Sequence, residues 1–518
     1  MNLIGESNSA LDLCEEYYWR SLPLAQRTGS DIFAALFQAQ TAQPGAKGIA
    51  ALLESPYPLP ANSLPEAAQA MARYSICAGA ARLTARGAQL WTPKIGQILP
   101  LLRQMGSLCE QTKHQAPDKD LPFVGGWLGW LGYDAAWEIE RLPWLKDDQL
   151  PFPVAFWYEP AEFAVLDHHL QRLWLAAETR TRLDDMVRQL SRSGIDRINF
   201  QTISEAIAET PLSLYREKTQ NSLKETSVAE PSESLIFETT QAEFKQAVRQ
   251  AKSHIRAGSV FQVNHSLRFQ ATTAKPSWEV YQTLHQINPS PFASYWHTPW
   301  GAVVSCSPER LVHLKSGVAQ SRPIAGTRPR GATPDRDEAI AHELITDPKE
   351  KAEHIMLVDL ERNDLGRVCQ WGSVQVAELM AVERYSHVMH LVSNVIGELD
   401  PDKSVAQLIA ALFPGGTITG CPKVRCMEII ETLEPVRRSL FYGSCGYFDR
   451  RGQIDLNILI RTLLMSPPVE KPSAKSIENP LTTVWGQVGA GIVADSEPER
   501  EWRESLQKAK AQRLALGL

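Results

Sequence analysis

The sequence predicts an α+β protein built on large antiparallel sheets. Strand-like runs at 440–449, 453–463 and 482–493 follow one another without a helical segment between them. This order is typical of antiparallel hairpins rather than of a repeated βαβ unit. With 518 residues, the chain also exceeds what one packed core normally contains, so we expect two or more domain-sized units.

In chain order, strand patterns dominate the N-terminal part, including a run at 163–177 and a glycine-punctuated stretch at 125–130. The polar stretch 203–234 is predicted to be a linker or surface excursion, because it lacks an apolar stripe. Residues 466–480, rich in Pro, Ser and Lys, are predicted to form a long exposed hairpin loop. The other predicted elements are helices at 241–257, 336–363, 403–412 and from 497, and strands at 259–270 and 301–314.

Composition excludes several classes of protein. Apolar residues make up 43% and charged residues 22%, as in ordinary globular proteins, and the net charge of −6 argues against nucleic acid as the main partner. The N-terminus lacks a basic region and no window is apolar enough for a membrane helix, so we expect no membrane association. The eight cysteines are scattered without a C-x-x-C motif, which predicts reduced thiols and a cytoplasmic location.

One predicted helix can present a buried carboxylate. It begins at Asp347, which is expected to cap the free amides, with Pro348 in the first turn and Glu350 completing a capping box. Glu353 lies beside the apolar stripe, which is unusual for a carboxylate without a partner. The stripe that we expect to face the core consists of Ala352, Ile355, Met356 and Leu360.

The C-terminal helix repeats this pattern. Ser496 and Glu499 form a second S-x-x-E start, and Trp502 and Leu506 are expected to face inward, with Ala509 or Ala511. One side of the helix carries Glu501, Glu504 and Lys508. From spacing alone, salt-bridged surfaces explain both helices. The alternative is that they supply carboxylates to a hard cation such as Mg²⁺.

Two glycine-rich segments can approach a ligand closely. Residues 413–423 resemble a P-loop, but Cys421 stands where the lysine of that motif must be, which excludes a nucleoside triphosphatase. This segment is either a tight anion-binding wrap or a structural turn. Gly489 and Gly491 lie within a strand-like run, which excludes a dinucleotide fingerprint and favours close approach of a ligand. Arg461, in an apolar strand, makes a carboxylate ligand plausible.

These segments together resemble the chorismate-binding domain shared by anthranilate synthase component I, aminodeoxychorismate synthase component I, isochorismate synthase and salicylate synthase. The resemblance covers residues 241–518, and residues 1–235 more loosely resemble the family's accessory or regulatory domain. It implies antiparallel sheets packed as a sandwich with helices on the outside, and a catalytic domain at 236–518. The matching stretches are 258–264, 307–310, 322–331, 347–367, His390, 414–425, 460–462 and 489–496.

The resemblance also implies roles for individual residues. Glu353 and Glu504 would hold a Mg²⁺ ion that bridges to the ring carboxylate of chorismate. Glu309 would be the general acid that protonates the departing C4 hydroxyl, which requires a carboxyl kept protonated by burial or a neighbouring charge. The residues implied to grip the two carboxylates of the substrate or to line its pocket are Arg461, Tyr442, Lys508, Gly489, Gly491, His390 and Thr419.

Gln262 bears on the nucleophile. It stands where isochorismate and salicylate synthases carry a lysine base that activates water, so the resemblance implies ammonia as the attacking group. Both aminating members of the family obtain ammonia from a separate glutamine amidotransferase subunit. This chain has no G-x-C-x-G nucleophile turn, which predicts such a partner. A non-catalytic scaffold is disfavoured because Glu309, Glu353 and Glu504 are all present.

The product is predicted from a few positions, and these positions favour different members of the family. Ala325 is the anthranilate synthase form of a position where many aminodeoxychorismate synthases carry a lysine. Four other segments resemble aminodeoxychorismate synthases: 262–264, 414–420, 443–447 and 455–458. The predicted product is 4-amino-4-deoxychorismate, with anthranilate as the alternative. Residues 52–55 (LLES) resemble the tryptophan-sensing motif of anthranilate synthase, but their continuation, 56–58, departs from it.

Overall fold

A computed structural model describes residues 11, 13–14, 16–43, 45–56, 71–111, 116–192, 235–384, 388–468 and 481–518. The strands before residue 235 are β1 Tyr18–Pro23, β2 Ala50–Glu54, β3 Tyr74–Ala78, β4 Leu83–Thr84, β5 Gly87–Ala88, β6 Leu90–Trp91, β7 Gly126–Leu131, β8 Ala155–Tyr158, β9 Glu162–Asp167 and β10 Arg172–Ala177. The later strands are β11 Leu235–Phe237, β12 Gln262–Thr273, β13 Phe292–Thr298, β14 Gly301–Ser307, β15 Arg310–Lys315, β16 Val318–Ser321, β17 Ile324–Pro329, β18 Gln375–Arg384, β19 Val388–Glu398, β20 Gly420–Cys421, β21 Ser444–Asp449, β22 Ile454–Asn457, β23 Thr462–Met465 and β24 Thr482–Ile492.

The α-helices and three short 3₁₀ helices lie between these strands. The α-helices are α1 Gly29–Leu36, α2 Ile98–Gln111, α3 Ala136–Ile139, α4 Arg180–Arg192, α5 Gln241–Arg256, α6 Ser277–Ile287, α7 Pro334–Thr346, α8 Pro348–Gly366, α9 Val405–Leu412, α10 Gly416–Thr419, α11 Lys423–Leu433, α12 Pro498–Lys508 and α13 Lys510–Leu516. The 3₁₀ helices are Gln38–Ala42, Gly45–Gly48 and Tyr133–Ala135. None of the helices in the described segments is long and apolar enough to cross a membrane.

Two large antiparallel sheets organise the molecule. The first has the strand order β1-β10-β9-β3-β2-β13-β14-β23-β24-β12-β11, with β20 also paired to β12. The second has the order β17-β19-β16-β15-β22-β21-β7-β8-β6, with β18 also paired to β19. One apolar core contains side chains from both sheets, and a second contains side chains from the first sheet and from its helices. This arrangement confirms the predicted α+β fold with antiparallel sheets packed as a sandwich and helices outside.

The two-residue period of the strands explains how one sheet serves both cores. In β14, Val303 faces the core between the sheets, whereas Ala302 and Val304 face the helices. In β2, Ala51 likewise faces the core between the sheets, and Leu52 faces the helices. Because both faces are covered, residues 50–53 of β2 and 301–304 of β14 are consecutive apolar or glycine residues rather than alternating with polar ones.

The predicted division at residue 235 stays a prediction, and both sheets extend across it. In the first sheet β2 pairs with β13, with Leu53 opposite Ser294. In the second sheet β7 pairs with β21, with Gly129 opposite Gly446. Residues of the N-terminal half therefore complete the sheets that carry the C-terminal motifs.

Several predicted elements are divided in the structure. The segment 163–177 contains β9 and β10, and 301–314 contains β14 and β15. The predicted helix 336–363 is two helices, α7 and α8, which meet at Asp347. The predicted linker 203–234 and most of the predicted loop, 469–480, lie outside the described residues. The loop's flanking strands β23 and β24 do pair as an antiparallel hairpin.

Both predicted capping boxes are wrong, although the helix start at Asp347 is confirmed. The Asp347 side chain accepts hydrogen bonds from the backbone amides of Lys349 and Glu350. The Glu350 carboxylate instead accepts a hydrogen bond from Arg328, 3.0 Å away, because a guanidinium is a stronger donor than a backbone amide. At the C-terminal helix, Glu497 is the residue before the first turn and Glu499 pairs with Lys245.

Of the predicted apolar stripe of α8, Leu360 is buried, but the other three residues are not. Ile355 is 55% exposed and Ala352 is exposed. The buried face is instead formed by His354, Leu357, Val358, Leu360, Glu361, Asp364 and Leu365. Polar groups within this face find partners in the sheet, such as the Ser393 hydroxyl 2.6 Å from His354 Nε2, so apolar spacing alone selected the wrong side.

Candidate active site

The predicted site residues lie on β12, β17, β19, β24, α8, α10, α12 and the connections between them. Strand β12 is central, because it pairs with β24 on one side and with the short β20 on the other. Its register places Asn264 opposite Gly491 and Ser266 opposite Gly489. Both predicted glycines are therefore neighbours of polar side chains on β12.

Gln262 and Glu353 are in direct contact. The Gln262 side-chain amide nitrogen donates to Glu353 Oε1 at 2.9 Å. A Cβ atom at Gly491 would lie 2.4 Å from that amide nitrogen and 3.5 Å from Glu353 Oε1, so a side chain at position 491 would displace the Gln262 amide from this contact. Burial raises the pKa of Glu353, the hydrogen bond from Gln262 opposes this, and nearby Glu350 adds to it.

Lys508 connects the Glu353 region to the C-terminal helix. Its Nζ lies 2.8 Å from Glu504 Oε1 and 2.9 Å from the carbonyl oxygen of Gly489, to which it donates. Its charge also lowers the pKa of Glu353. Glu504 is exposed, whereas Glu501 on the same helix is buried and has a raised pKa because of burial. Lys508 therefore occupies the charge-neutralising position among these carboxylates.

This donor set fits a hard divalent cation. Within the described part of the chain, no three His, Cys, Asp or Glu side chains are grouped as a complete metal site. Mg²⁺, however, commonly takes one or two carboxylates and completes its shell with water and substrate oxygens. Glu353 is a largely buried carboxylate whose hydrogen-bond partner is a neutral amide, and Glu504 is an exposed carboxylate that forms an ion pair with Lys508.

Glu309 is a buried carboxyl group with 5% of its surface exposed. Burial raises its pKa to about 8, the facing Thr417 hydroxyl and Ile324 amide oppose this, and Glu361 raises it further. Glu309 is therefore protonated at neutral pH, which is the state that a general acid requires. The predicted protonation requirement is thus met by burial and by a neighbouring carboxyl.

His390 and Ala325 lie on paired strands beside a bulge. The register between β17 and β19 shifts between Ala325 and Thr327. The bulge residue, Gly326, has φ +67°, and a Cβ there would lie 2.7 Å from Leu344. Thr327 Oγ1 is 2.9 Å from His390 Nδ1, and burial lowers the pKa of His390 to about 4. His390 is therefore a neutral hydrogen-bonding group, and Ala325 is a small buried residue next to it in the sheet.

Arg461 and Tyr442 lie together near His390. Both have left-handed backbone conformations, with φ +52° and +65°, which indicates that the surrounding structure constrains them. Burial lowers the pKa of Arg461, and the Tyr442 hydroxyl opposes this. Among the described residues, no carboxylate forms an ion pair with Arg461. Its positive charge contributes to lowering the pKa of His390. A partly buried guanidinium without an anion is suited to bind one.

The glycine-rich loop folds into the short helix α10. The Thr419 hydroxyl donates to the Gly415 carbonyl at 2.9 Å, so this predicted pocket residue has a structural hydrogen bond within the loop. The Asn264 amide donates to the Thr417 carbonyl at 3.2 Å, which connects the loop to β12. Lys423 ion-pairs with Asp364 on α8 at 2.6 Å. The loop thus fixes Thr417 against Glu309.

The structure therefore brings the predicted residues into one continuous region. Contacts lead from Glu353 through Gln262 and β12 to Thr417 and Glu309. On the other side, a Cβ at Gly489 would lie 2.9 Å from both Asn264 Oδ1 and Tyr442 Oη. Glu504 is the most exposed of these carboxylates, and it forms an ion pair with Lys508 at 2.8 Å.

Sequence reasoning missed the buried polar residues behind this region. Glu434 accepts hydrogen bonds from the Ser266 amide and hydroxyl and from Arg438, and this pair lies beneath Tyr442, whose ring is 4.6 Å from the Arg438 guanidinium carbon. Glu361 was missed as well. A charged residue inside an otherwise apolar helix face was the signal available for Glu361.

A separate cavity of about 380 Å³ lies elsewhere, beside residues 53–55 of the LLES motif. It is lined by side chains of both sheets, including Arg310, which forms a bidentate ion pair with Asp455 at 2.8 Å. None of the predicted catalytic, metal or substrate residues lines this cavity. The residues at which the sequence departs from the tryptophan-sensing motif are 56–58. Of these, 56 is described, and 57 and 58 lie outside the described residues.

Comparison with known proteins defines the class. Residues 66–513 match the chorismate binding enzyme family, and the chain belongs to this family of chorismate-utilising enzymes. It is 53% identical to the anthranilate synthase component I-like protein of Synechocystis sp., over 97% of this chain and 92% of that protein.

Other relatives carry two different names. The chain is 42% identical to aminodeoxychorismate synthase component 1 of Bacillus subtilis, over 79% of each protein. It is 39% identical to anthranilate synthase component 1 of Synechocystis sp., over 75% of each. The crystal structure of anthranilate synthase component I from Streptococcus pneumoniae superimposes with a TM-score of 0.63 at 28% identity, over 89% of this chain and 95% of that one.

Proposed function

We propose that the chain aminates chorismate in a Mg²⁺-dependent reaction and releases 4-amino-4-deoxychorismate. The observation that carries this proposal is that a proton donor and an anion-binding group lie in the same region. Glu309 is a carboxyl protonated at neutral pH, and Arg461 is a cation without an ion-pair partner among the described residues. The first can donate a proton to a leaving hydroxyl, and the second can bind a substrate carboxylate.

The chemical step balances with the groups present. In the net reaction, the nitrogen of ammonia becomes bonded to C4 and the C4–O bond breaks, and Glu309 gives its proton to the departing hydroxyl, which leaves as water. The new ammonium group then loses a proton, which can return to the Glu309 carboxylate. Neutral His390 and Tyr442 can orient the substrate through hydrogen bonds without changing charge.

Glu353 and Glu504 are the residues that would hold Mg²⁺. When bound, the ion supplies positive charge that orients and partly neutralises a substrate carboxylate. Lys508 then retains its hydrogen bond to Gly489 or turns toward the substrate. The Gln262 amide fixes the orientation of Glu353, and it cannot act as a base toward water at neutral pH.

Ammonia would come from a glutamine amidotransferase partner. Relatives of this chain are named as component 1 or component I of their synthases, which implies a second component. The ammonia-dependent reaction of the isolated chain does not require that partner, so the two parts of the proposal can be tested separately.

One comparison favours 4-amino-4-deoxychorismate over anthranilate: identity is 42% to the aminodeoxychorismate synthase component 1 of Bacillus subtilis and 39% to the anthranilate synthase component 1 of Synechocystis sp.. The 53% identical protein of Synechocystis sp. is named anthranilate synthase component I-like, and this name favours neither product over the other. Ala325 remains the observation that favours anthranilate synthase as the alternative, because it provides no amine side chain beside His390.

Product analysis decides between these reactions. The chain is incubated with chorismate, MgCl₂ and an ammonium salt at alkaline pH, and the products are identified by mass and fluorescence. We expect 4-amino-4-deoxychorismate, which an added lyase converts to 4-aminobenzoate. Fluorescent anthranilate with an equal amount of pyruvate would instead establish the alternative.

A further inference from the structure

Glu361 is a second buried carboxyl beside the general acid. It is 5% exposed, as is Glu309. The backbone amide of Gly416 faces the Glu361 carboxyl, and the hydroxyl of the next residue, Thr417, faces Glu309. Consecutive residues of one short helix therefore contact the two carboxyls, which places them side by side.

The Glu361 carboxyl is fixed in position. The Ser321 hydroxyl at the end of β16 donates to Glu361 Oε2 at 2.7 Å. A Cβ atom on Gly416 would lie 3.5 Å from Glu361 Oε1 and 2.3 Å from Leu360, so the helix and the loop are in close contact. A buried carboxyl held in this way cannot turn to solvent when its charge changes.

Positive charge is scarce around this pair. The groups that face it come from the connection after β14 (Glu309), from β16 (Ser321), from α8 (Glu361 and Asp364) and from the start of α11 (Lys423). Lys423 is the cation of the cluster, and its ammonium lies 2.6 Å from Asp364. Among the described residues, one cation therefore faces three carboxyls, and its ammonium forms an ion pair with Asp364.

We propose that Glu361 is a positioning residue for the reaction, whose carboxylate retains the catalytic proton on Glu309 until the substrate hydroxyl accepts it. This role rests on the proposed function. The titration of the two groups agrees with it: burial and then Asp364 raise the pKa of Glu361 to about 7, and Glu361 contributes to raising the pKa of Glu309. The negative charge of ionised Glu361 therefore favours the protonated form of Glu309.

The test uses Glu361→Gln, which removes the charge and keeps an oxygen that accepts hydrogen bonds from Ser321 and Gly416. Rates of chorismate loss are measured from pH 6.5 to 10 with saturating Mg²⁺ and divided by the free ammonia concentration, which removes the titration of ammonium. The fall in rate at alkaline pH (the alkaline limb of the profile) then follows the ionisation of Glu309. We expect this alkaline decline to move to lower pH by about one unit in Glu361→Gln. At pH values above the decline, the variant is then approximately tenfold slower than the wild type.

Two further variants make the test specific. Glu361→Asp keeps the charge, so its limb is expected to stay within about 0.3 pH unit of the wild type. Ser321→Ala removes a donor that stabilises the charged form of Glu361, so its limb is expected to move in the same direction as in Glu361→Gln, but less. This variant also provides the test if Glu361→Gln does not fold.

The outcomes separate this role from the proposed function. If the wild type consumes chorismate with ammonia but the limb is unchanged in Glu361→Gln and Ser321→Ala, Glu361 has only a structural role, even if the maximal rate falls. If the wild type consumes no chorismate, the proposed function is overturned and this role with it.

Discussion

At the scale of single residues, the proposed site combines three buried polar groups. Glu309 is a carboxyl that keeps its proton, His390 is a neutral imidazole, and Arg461 is a cation without a carboxylate partner in the described segments. Burial of the Glu309 carboxyl, which is held in its protonated form, and of the Arg461 cation without an ion-pair partner has a free-energy cost. Residues that bind or transform a ligand commonly lower the stability of the free protein in this way.

Glu309→Gln tests this cost directly. The pKa of Glu309 is raised from 4.5 to about 8 in the folded protein, so the folded state binds the proton more tightly than the unfolded state. Its stabilising contribution is complete below about pH 4.5 and is lost as the pH rises through 8. Glutamine cannot ionise, so we expect Glu309→Gln to raise the Tm by about 4 °C at pH 9 and by less than about 1 °C at pH 5.

The measurement is differential scanning calorimetry at both pH values, together with the rate of chorismate loss. The rate is expected to fall at least about a hundredfold, because general acid catalysis contributes that much. Equal Tm differences at pH 5 and pH 9 would contradict the assignment of a raised pKa to Glu309.

The identities of most site residues could be predicted from the sequence, but their charge states could not. Motif resemblance named Glu309, Glu353, His390 and Arg461, and the structure places them in one region. The partners that set their titration, such as Glu361 beside Glu309, lie 52 positions away in the chain and become neighbours only through the α8 and α10 contact. The spacing of apolar residues did not identify Glu361, because this method assigns only apolar residues to the buried face of a helix.

At the scale of elements, helix α8 carries two of the carboxyl groups to which we assign proposed roles, on different turns. Glu353 faces Gln262 near its start, and Glu361 faces Ser321 two turns later. The orientation of the helix is fixed at its N-terminus by Asp347, which caps the first amides and also lies 3.3 Å from Arg328 Nη2. Accurate placement of Glu353 thus depends on a cap that lies six residues before it.

Asp347→Ala is expected to lower the free energy of unfolding by about 1 kcal/mol, because it removes the cap of α8. Asp347→Asn is the matched control, since its side-chain oxygen still accepts the amide hydrogen bonds while the charge toward Arg328 is lost. Urea denaturation measures both variants. Equal destabilisation by alanine and asparagine would show that the ion pair, and not the cap, is what stabilises this helix end.

Helix starts could be predicted better than helix faces. Asp347 and Pro348 define the start of α8 by local chemistry, and the structure agrees. The capping boxes failed because long-range partners, Arg328 for Glu350 and Lys245 for Glu499, compete for the same carboxylates. The α7–α8 boundary was hidden because a helical pattern continues on both sides of Asp347.

At the scale of the whole molecule, the two halves of the chain share both sheets. Strand β2 is inserted between β3 and β13, and β7 lies between β8 and β21. The core between the sheets includes Trp127 and Trp130 from the N-terminal half and Trp296 from the C-terminal half, with Trp130 and Trp296 in edge-to-face contact at 5.9 Å. The antiparallel architecture was predictable from strand order along the chain, but this exchange of strands was not, since pairing partners are more than 200 residues apart.

Expression of residues 236–518 alone tests this dependence. The fragment loses the partners of β13 and β21 and exposes the tryptophan core, so we expect no cooperative thermal transition and aggregation through the open strand edges. Co-expression with residues 1–235 is the control and is expected to restore a soluble complex. A fragment that unfolds cooperatively by itself would show that the predicted boundary at 235 separates independent folding units.

The central claim is that a Mg²⁺-dependent, chorismate-aminating site lies between α8, β12 and α12. Its most direct test is the rate of chorismate loss by the isolated chain, with and without ammonium and with and without Mg²⁺, for the wild type, Glu353→Gln and Glu504→Gln. We predict that the wild type requires both ammonium and Mg²⁺, and that each variant folds but loses the Mg²⁺-dependent rate. Unchanged turnover in the variants, formation of isochorismate without ammonium, or no loss of chorismate in the wild type would contradict the account.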